Sequence, residues 1–264
     1  MLSWITLREG VVAQMRIDRL LTECGLCSRK EAALAARRGD ITVNGDREAN
    51  VSRHIDPATD RIAFCGREVL YRRYTYVMLN KPAGYVSATE DRSLPYVTEL
   101  LSPELQKRGL FPVGRLDRDT LGMMILTNNG SLAHRLLSPR RHVEKEYRFI
   151  CSLPLPADAE SRFASGLALS DGFVCKSALL RPDPDRMGGI VVLTEGKYHQ
   201  IKRMMEAIGT RVTSLERVSF AGLALDPALA RGEWRPLTER EEALLLAAAQ
   251  DPAQGGAPPQ GETP

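Results

Sequence analysis

Apolar residues recur along this chain in two rhythms. From 15 to 39 the spacing is helical: Ile17, Leu20 and Leu21 share a face over residues 16–24, and Gly25 follows as a stop. Ser28 with Glu31 makes a capping box that opens a second helix, which Gly39 ends. A short strand over 41–43, a tight turn at Asn44-Gly45 and another strand near 61–64 complete a helix–helix–sheet unit. Past Tyr74 the rhythm changes. The runs YVMLN, GMMILT, EYRFICSL, GIVVLTE and RVTSLERVSF predict strands, while Ile201, Met204, Met205 and Ile208 fall at i, i+3, i+4, i+7 and predict a helix over 199–208 closed by Gly209. Asn128 or Asn129 caps a helix over 130–137, and Gly166 ends one that begins near Asp158. The pattern predicts an α+β chain with a small unit at 15–74 and a larger one at 75–249.

Residues 1–14 carry no clear amphipathic period and read as an N-terminal extension, whereas the Pro-, Gly- and Gln-rich run from 250 to 264 reads as a disordered tail. Of the 264 residues, 43% are hydrophobic and 26% charged, enough for a packed core. No run approaches the roughly 18 apolar residues of a spanning helix, and no export-signal pattern opens the chain. No membrane partner is expected. Five scattered cysteines fit a reducing compartment better than a disulfide framework, so the expected location is cytoplasmic. The net charge of +3 is small, so any anionic partner must be met by local clusters.

Three such clusters occur. Arg29, Lys30, Arg37 and Arg38 surround the second helix beside the turn at Asn44, an arrangement that either follows a folded RNA backbone or is a solvated face. Residues 131–148 hold Arg135, Arg140, Arg141, Lys145 and Arg148 against Glu144 and Glu146. The run EGKYHQIKRM sets Lys197, Lys202 and Arg203 close to Tyr198 and His199. Between arginines in PVGRLDRDTLG stand two carboxylates, Asp117 and Asp119. Their spacing is compatible with a two-carboxylate glycosidase pair, with structural ion pairs, or with Asp119 bonding a turn before Gly122. Cys24-x-x-Cys27 has no second metal-ligand pair at zinc spacing, and no HExxH, Walker loop or GxGxxG occurs, so no metal and no nucleotide cofactor is expected.

The run MRIDRLLTECGLCSRKEAALAARRGDITVNG resembles the S4-like (α-L) RNA-binding domain. NKPAGYVS, GRLDRDTLGMMILTNNG, KEYRF and TEGKYHQIKRMMEAIG follow in the order seen in the ribosomal pseudouridine synthases, and YHQIKRM behind such a front end resembles the small-subunit 16S rRNA type. The chain departs from the commonest form at Met123-Met124 and Asn129, away from the reacting groups. The resemblance implies an S4-like domain followed by a catalytic domain with a mixed, mainly antiparallel sheet flanked by helices. It implies an enzyme that isomerises a uridine to pseudouridine in 16S rRNA, naked or in an assembly intermediate, without a cofactor; a monomer is expected because nothing in the chain demands a symmetric partner. Two alternatives stay open: a large-subunit 23S rRNA enzyme, or a catalytically silent ribosome-assembly protein. Asp117 matches the family aspartate that acts as nucleophile or base, Lys202 its paired cation, and Tyr147 the ring that stacks on the target base. Arg115 matches the arginine that replaces the flipped-out nucleotide. Arg29, Lys30, Arg37, Arg38, Asn44, Lys81, Arg140, Arg141, Lys145 and His199 are the further expected RNA contacts, with Asn80 and Lys81 shaping a turn near the cleft.

Overall fold

The structure, a computed structural model, describes residues 14–250. The N-terminal extension and the tail read from the sequence therefore lie outside the described residues, but for Gln14 and Gln250. The described residues divide into two compact units, 14–74 with 102–109, and 75–101 with 110–250.

In the first unit, β1 (Met15–Arg16) leads directly into α1 (Ile17–Glu23), and α2 (Arg29–Arg38) follows after the Gly25 turn. The box at Ser28 and Glu31 closes from both sides, at 3.3 and 2.7 Å, and Gly39 takes the left-handed conformation that ends the helix. Next come β2 (Ile41–Val43), β3 (Asp46–Arg47), β4 (His54–Ile55), β5 (Ile62–Phe64) and β6 (Arg67–Glu68). Four of them form a sheet in the order β3-β2-β5-β6, and β4 pairs with β1. Ile17, Leu20, Leu21, Ala32, Ala36, Ile41 and Ile62 fill the core; Cys27 is part of it and Cys24 packs against it, so the CxxC is packing. The second segment of this unit carries the one-turn α3 (Pro103–Lys107). A side chain at Gly25 would meet the Glu104 carbonyl at 2.4 Å, so that close approach needs glycine. The larger unit is thus interrupted at 102–109, where the sequence reading ran it unbroken from 75.

The second unit holds β7 (Tyr76–Lys81), β8 (Phe111–Pro112), β9 (Leu121–Thr127), β10 (Lys145–Cys151), β11 (Leu179–Pro182), β12 (Gly188–Leu193), β13 (Val212–Phe220), β14 (Leu223–Ala224) and β15 (Trp234–Pro236). Its helices are α4 (Gly130–Leu137), α5 (Ala159–Ser165), α6 (Gln200–Ala207) and α7 (Glu239–Ala248). The nine strands make one sheet in the order β11-β12-β10-β13-β9-β7-β15, with β14 on β13 and β8 on β9. Every pairing is antiparallel except β13 with β9, which is parallel and brief: Glu216 opposes Leu121 and Arg217 opposes Gly122. Gly122 makes this joint possible, because a Cβ there would lie 2.3 Å from the Arg217 carbonyl and its φ is +97°. The predicted mixed, mainly antiparallel sheet flanked by helices is the architecture found. Asn129 caps α4 by accepting from Leu132 N at 3.0 Å, and Met123 and Met124 are fully buried in β9, so both departures from the commoner motif keep a structural role.

Lys81, at the end of β7, has no solvent exposure. Its Nζ donates to the carbonyls of Pro82, Arg118 and Thr120 at 3.0, 3.2 and 2.8 Å. Three acceptors require the ammonium form, although burial pushes this lysine down to about 8. Lys81 is therefore an internal clamp on the turn before β9 and not a contact for RNA, a correction to the sequence reading. Asn80 is likewise turned inward, bonding Leu229 O and Arg231. Lys81→Met strands carbonyls that have no water to replace the ammonium. Urea denaturation of the intact chain should show a loss of roughly 2 to 5 kcal/mol.

Candidate active site

The turn that Lys81 clamps carries Asp117 and Asp119. Its two ends are fixed from the facing loop: Ser87 Oγ accepts from Leu116 N at 2.9 Å and donates to Leu116 O at 2.7 Å, and Gly84 N donates to Arg118 O at 2.8 Å. Within the turn, Thr120 N donates to Asp117 O. The backbone beneath both carboxylates is thereby held from several sides before any charge is considered.

Opposite lies the start of α6. Glu195 Oε1 accepts from Gln200 Nε2 at 2.6 Å and from Lys176 N at 2.9 Å, while Gln200 Oε1 accepts from Lys197 N at 2.9 Å. This buried network fixes the loop leading into the helix, and His199 enters it in the left-handed conformation with φ +49°. Lys202, on the first turn, then projects at the carboxylates. Its Nζ lies 3.1 Å from Asp117 Oδ2 and 2.6 Å from Asp119 Oδ1. Burial by itself would lower Lys202, but the bonds to Asp119 and Asp117 outweigh it and hold the ammonium above its ordinary value. The bond from Lys202 in turn lowers Asp119. Asp119 is therefore an ion-pair partner and not the turn-bonding residue the sequence also allowed. The two acids differ in setting: the Asp117 side chain is 27% exposed and that of Asp119 73%. His199 Nε2 stands 3.6 Å from Asp117 Oδ1.

Asp117 faces a cavity of about 940 Å³ lined also by Arg115, Lys145, Tyr147, His199, Lys202 and Arg217. Tyr147, only 8% exposed, shares one face of β10 with Lys145, and Arg217 of β13 is its direct cross-strand partner. Phe173, Val174 and Leu193 supply apolar wall. Tyr198 is at the rim, 77% exposed, with its ring stacked on His199 at 3.8 Å between centroids. A space of this size with one apolar aromatic wall, the carboxylates of Asp117 and Glu195 and several cations suits a planar polar ring attached to an anionic chain.

The structure thus brings together Asp117, Tyr147, Lys202, Arg115, Lys145 and His199 from the sequence reading. It leaves others elsewhere. Arg140 is exposed and Arg141 half-buried in the turn after α4, and neither lines the cavity. Arg29, Lys30, Arg37 and Arg38 are exposed on α2, where Arg38 pairs with Asp40 at 2.9 Å. Asn44 is exposed, and its carboxamide locks the turn by donating one N–H to Asp60 at 2.8 Å and accepting from Arg61 N at 2.9 Å. Sequence reasoning missed Arg217. Its signal was available, because it falls on the same strand parity as buried Leu215.

Comparison with known proteins places the chain in a family. Residues 75–207 match the RNA pseudouridylate synthase family. An uncharacterized RNA pseudouridine synthase of Bacillus subtilis is 42% identical over 234 residues, covering 88% of this chain and 98% of the relative. The ribosomal small subunit pseudouridine synthase A of Escherichia coli is 37% identical over 237 residues, covering 88% of this chain and all of the relative. A crystal structure of a pseudouridylate synthase superposes with a TM-score of 0.62 at 33% identity, covering 88% of this chain and 99% of that one. With its sheet, its motifs and nearly its whole length shared with these proteins, the chain belongs to the RNA pseudouridylate synthase family and is an isomerase of that kind.

Proposed function

We propose that this protein isomerises a specific uridine in small-subunit 16S rRNA, with Asp117 as the reacting carboxylate. The observation that carries the reading is the 3.1 Å contact between Asp117 and Lys202 at the wall of a cavity that Tyr147 also lines. Isomerisation breaks the bond from ribose C1′ to uracil N1 and forms one from C1′ to carbon 5. It needs a group that answers positive charge at the sugar, as a nucleophile on C1′ or as a base at C2′. The Asp117 carboxylate serves either role, and the Lys202 ammonium at 3.1 Å holds it in position at the pocket wall.

The remaining residues fall into place around that centre. The Tyr147 ring provides a face for the uracil, and its hydroxyl is available for the proton leaving carbon 5. A stacked uridine cannot reach Asp117, so it has to leave the helix at a cost of a few kcal/mol, and exposed Arg115 at the cavity mouth is the side chain to occupy the gap. The first unit acts as an S4-like RNA-binding domain, with Arg29, Lys30 and Arg37 of α2 placed on phosphates. The small-subunit target is favoured by Tyr198-His199-Gln200, where large-subunit enzymes tend to carry Asn-Arg-Gln, and by the full-length match to a relative named for the small subunit.

Release of tritium from carbon 5 of labelled uridine in 16S rRNA, or in a partly assembled small subunit, tests the reading. Wild-type protein should release label, and Asp117→Ala should bind RNA with release reduced more than about 10³-fold. Release from that variant at the wild-type rate would refute the assignment of Asp117. Lys202→Met should lower turnover by about 10² without a matching loss of RNA affinity, and Lys202→Arg should recover part of it, because a guanidinium can still face both carboxylates. Replacing Arg29, Lys30 and Arg37 together by alanine should reduce the slope of log affinity against log salt by about 2 to 3, one unit or slightly less per phosphate contact.

A further inference from the structure

Beside the acid and its cation, the pocket holds a second charged feature that the reaction as described leaves unused. Lys145 and Arg217 both line the cavity, and carbonyls, not carboxylates, accept their hydrogen bonds. Lys145 Nζ donates to Val143 O at 2.9 Å, which leaves two N–H groups over. Arg217 Nε donates to Met123 O at 2.7 Å, while Nη2 is buried without an acceptor. The whole Arg217 side chain is sequestered, with 2% exposure. Both cations share the ring of Phe220, at 6.0 Å for Lys145 Nζ and 5.0 Å for the Arg217 guanidinium carbon, a weak substitute for a counter-ion.

Such an arrangement is costly. A buried cation such as Arg217 is normally paired, and the half-buried Lys145 beside it adds repulsion. Burial, and after it the neighbouring Arg217, push Lys145 down to about 8, against the pull of Glu195. Glu195 also lines the pocket and pulls on Lys145, but neither Lys145 nor Arg217 forms an ion pair with it, and its Oε1 is engaged with Lys176 N and Gln200 Nε2. Across the pocket the balance is the reverse: two carboxylates share Lys202, so the acid side has nothing to lend. The positive excess therefore lies on the β10–β13 floor, around Tyr147, and no anion among the described residues pairs with it.

We propose that Lys145, backed by Arg217, carries the negative charge of the pyrimidine while it is detached from the sugar. The inference rests on the pseudouridine reading above. When the bond from N1 to C1′ breaks, its electron pair stays with N1 and spreads onto the ring oxygens O2 and O4. The sugar's positive charge is answered by Asp117, through a bond to C1′ or by removal of the C2′ proton. The ring then turns and carbon 5 supplies the electron pair of the new bond to C1′, as the Asp117–C1′ bond breaks or as Asp117 returns its proton to C2′; the carbon 5 proton then leaves and N1 takes one up, so that the product is an isomer. No oxidation occurs, and the ring is an anion only between the two bonding events. Lys145 donates hydrogen bonds to a ring oxygen in that interval without giving up its proton. The field of Arg217 adds to it, stronger here than it would be in water. A resident carboxylate on these cations would cancel the effect, which is why the floor stays unpaired.

Single-turnover tritium release with enzyme in excess tests this with Lys145→Met and Lys145→Arg, alongside wild type and Asp117→Ala. Lys145→Met should melt near wild type and bind RNA within about twofold with an unchanged salt slope, while its release rate falls about 10²- to 10³-fold. Lys145→Arg should stay within about tenfold. The wild-type rate should decline as pH rises through about 8, where Lys145 loses its proton, and the arginine variant should lack that decline. The other charged groups around Lys145 are Arg217 and Glu195, with Asp117 and Lys202 across the cavity and the Tyr147 phenol between.

A wild-type rate in Lys145→Met overturns the proposal. So does a loss confined to RNA affinity with a shallower salt slope, which would make Lys145 a phosphate ligand. An alkaline decline in Lys145→Arg at the same pH as wild type also overturns it, and this arm remains decisive should the methionine variant fold poorly. If wild type releases no label, or Asp117→Ala releases it freely, the underlying reading has failed instead.

Discussion

One ammonium group organises the candidate site of this protein. Lys202 and the turn at 117–119 are more than eighty residues apart in the chain and belong to different elements, yet Nζ reaches both carboxylates within 3.1 Å. An exposed ion pair would count for little. Here its worth is positional, because the lysine fixes Asp117 at the pocket wall. The outer carboxylate, Asp119, keeps the lysine in place from the solvent side. The geometry holds only because both platforms are rigid: Gln200 and Glu195 set the start of α6, and Ser87, Gly84 and Lys81 set the turn.

The sheet explains why the pocket lies where it does. Its two halves meet in a parallel joint of only two residue pairs, and Gly122 permits that joint by letting the Arg217 backbone come close. The turn bearing Asp117 feeds directly into this joint, so the acid and the buried arginine are neighbours by topology. Tyr147 is in register with Arg217 on the next strand. Ring and buried cation are thus placed by adjacent strands and the acid by a clamped turn leading into the third, which suits a site whose charges must be in position beforehand.

Much of this was legible from local signals. Capping at Ser28, Asn129 and Gly39, the α6 stripe and the five principal strands each depend on residues within a few positions of one another, and all appear as read. Pieces settled by distant partners were not legible. The short β11 and β15 have no alternation to announce them and exist because an edge of the sheet was available. Residues 102–109 sit with the first unit through contacts such as Glu104 with Gly25, invisible to periodicity. Lys81 was misread because a lysine beside a proline turn looks solvent-facing, and only the fold supplies its three carbonyls. The pairing of Asp117 with Lys202 came from the family resemblance and not from spacing, since no local rule joins residues so far apart.

The two depressed lysines, Lys81 and Lys145, show why a shifted proton affinity says little until its bonds are counted. Burial is the leading cause in both, and both are pushed to about 8. Lys81 has an acceptor for each of its three N–H groups, so its charge is fully solvated by backbone and its task is mechanical. Lys145 has one acceptor, a like-charged neighbour, and an open cavity in front of it. The first is a finished structural element. The second is left incomplete by the protein alone, and what completes it must be an anion that the site admits only for part of the reaction cycle.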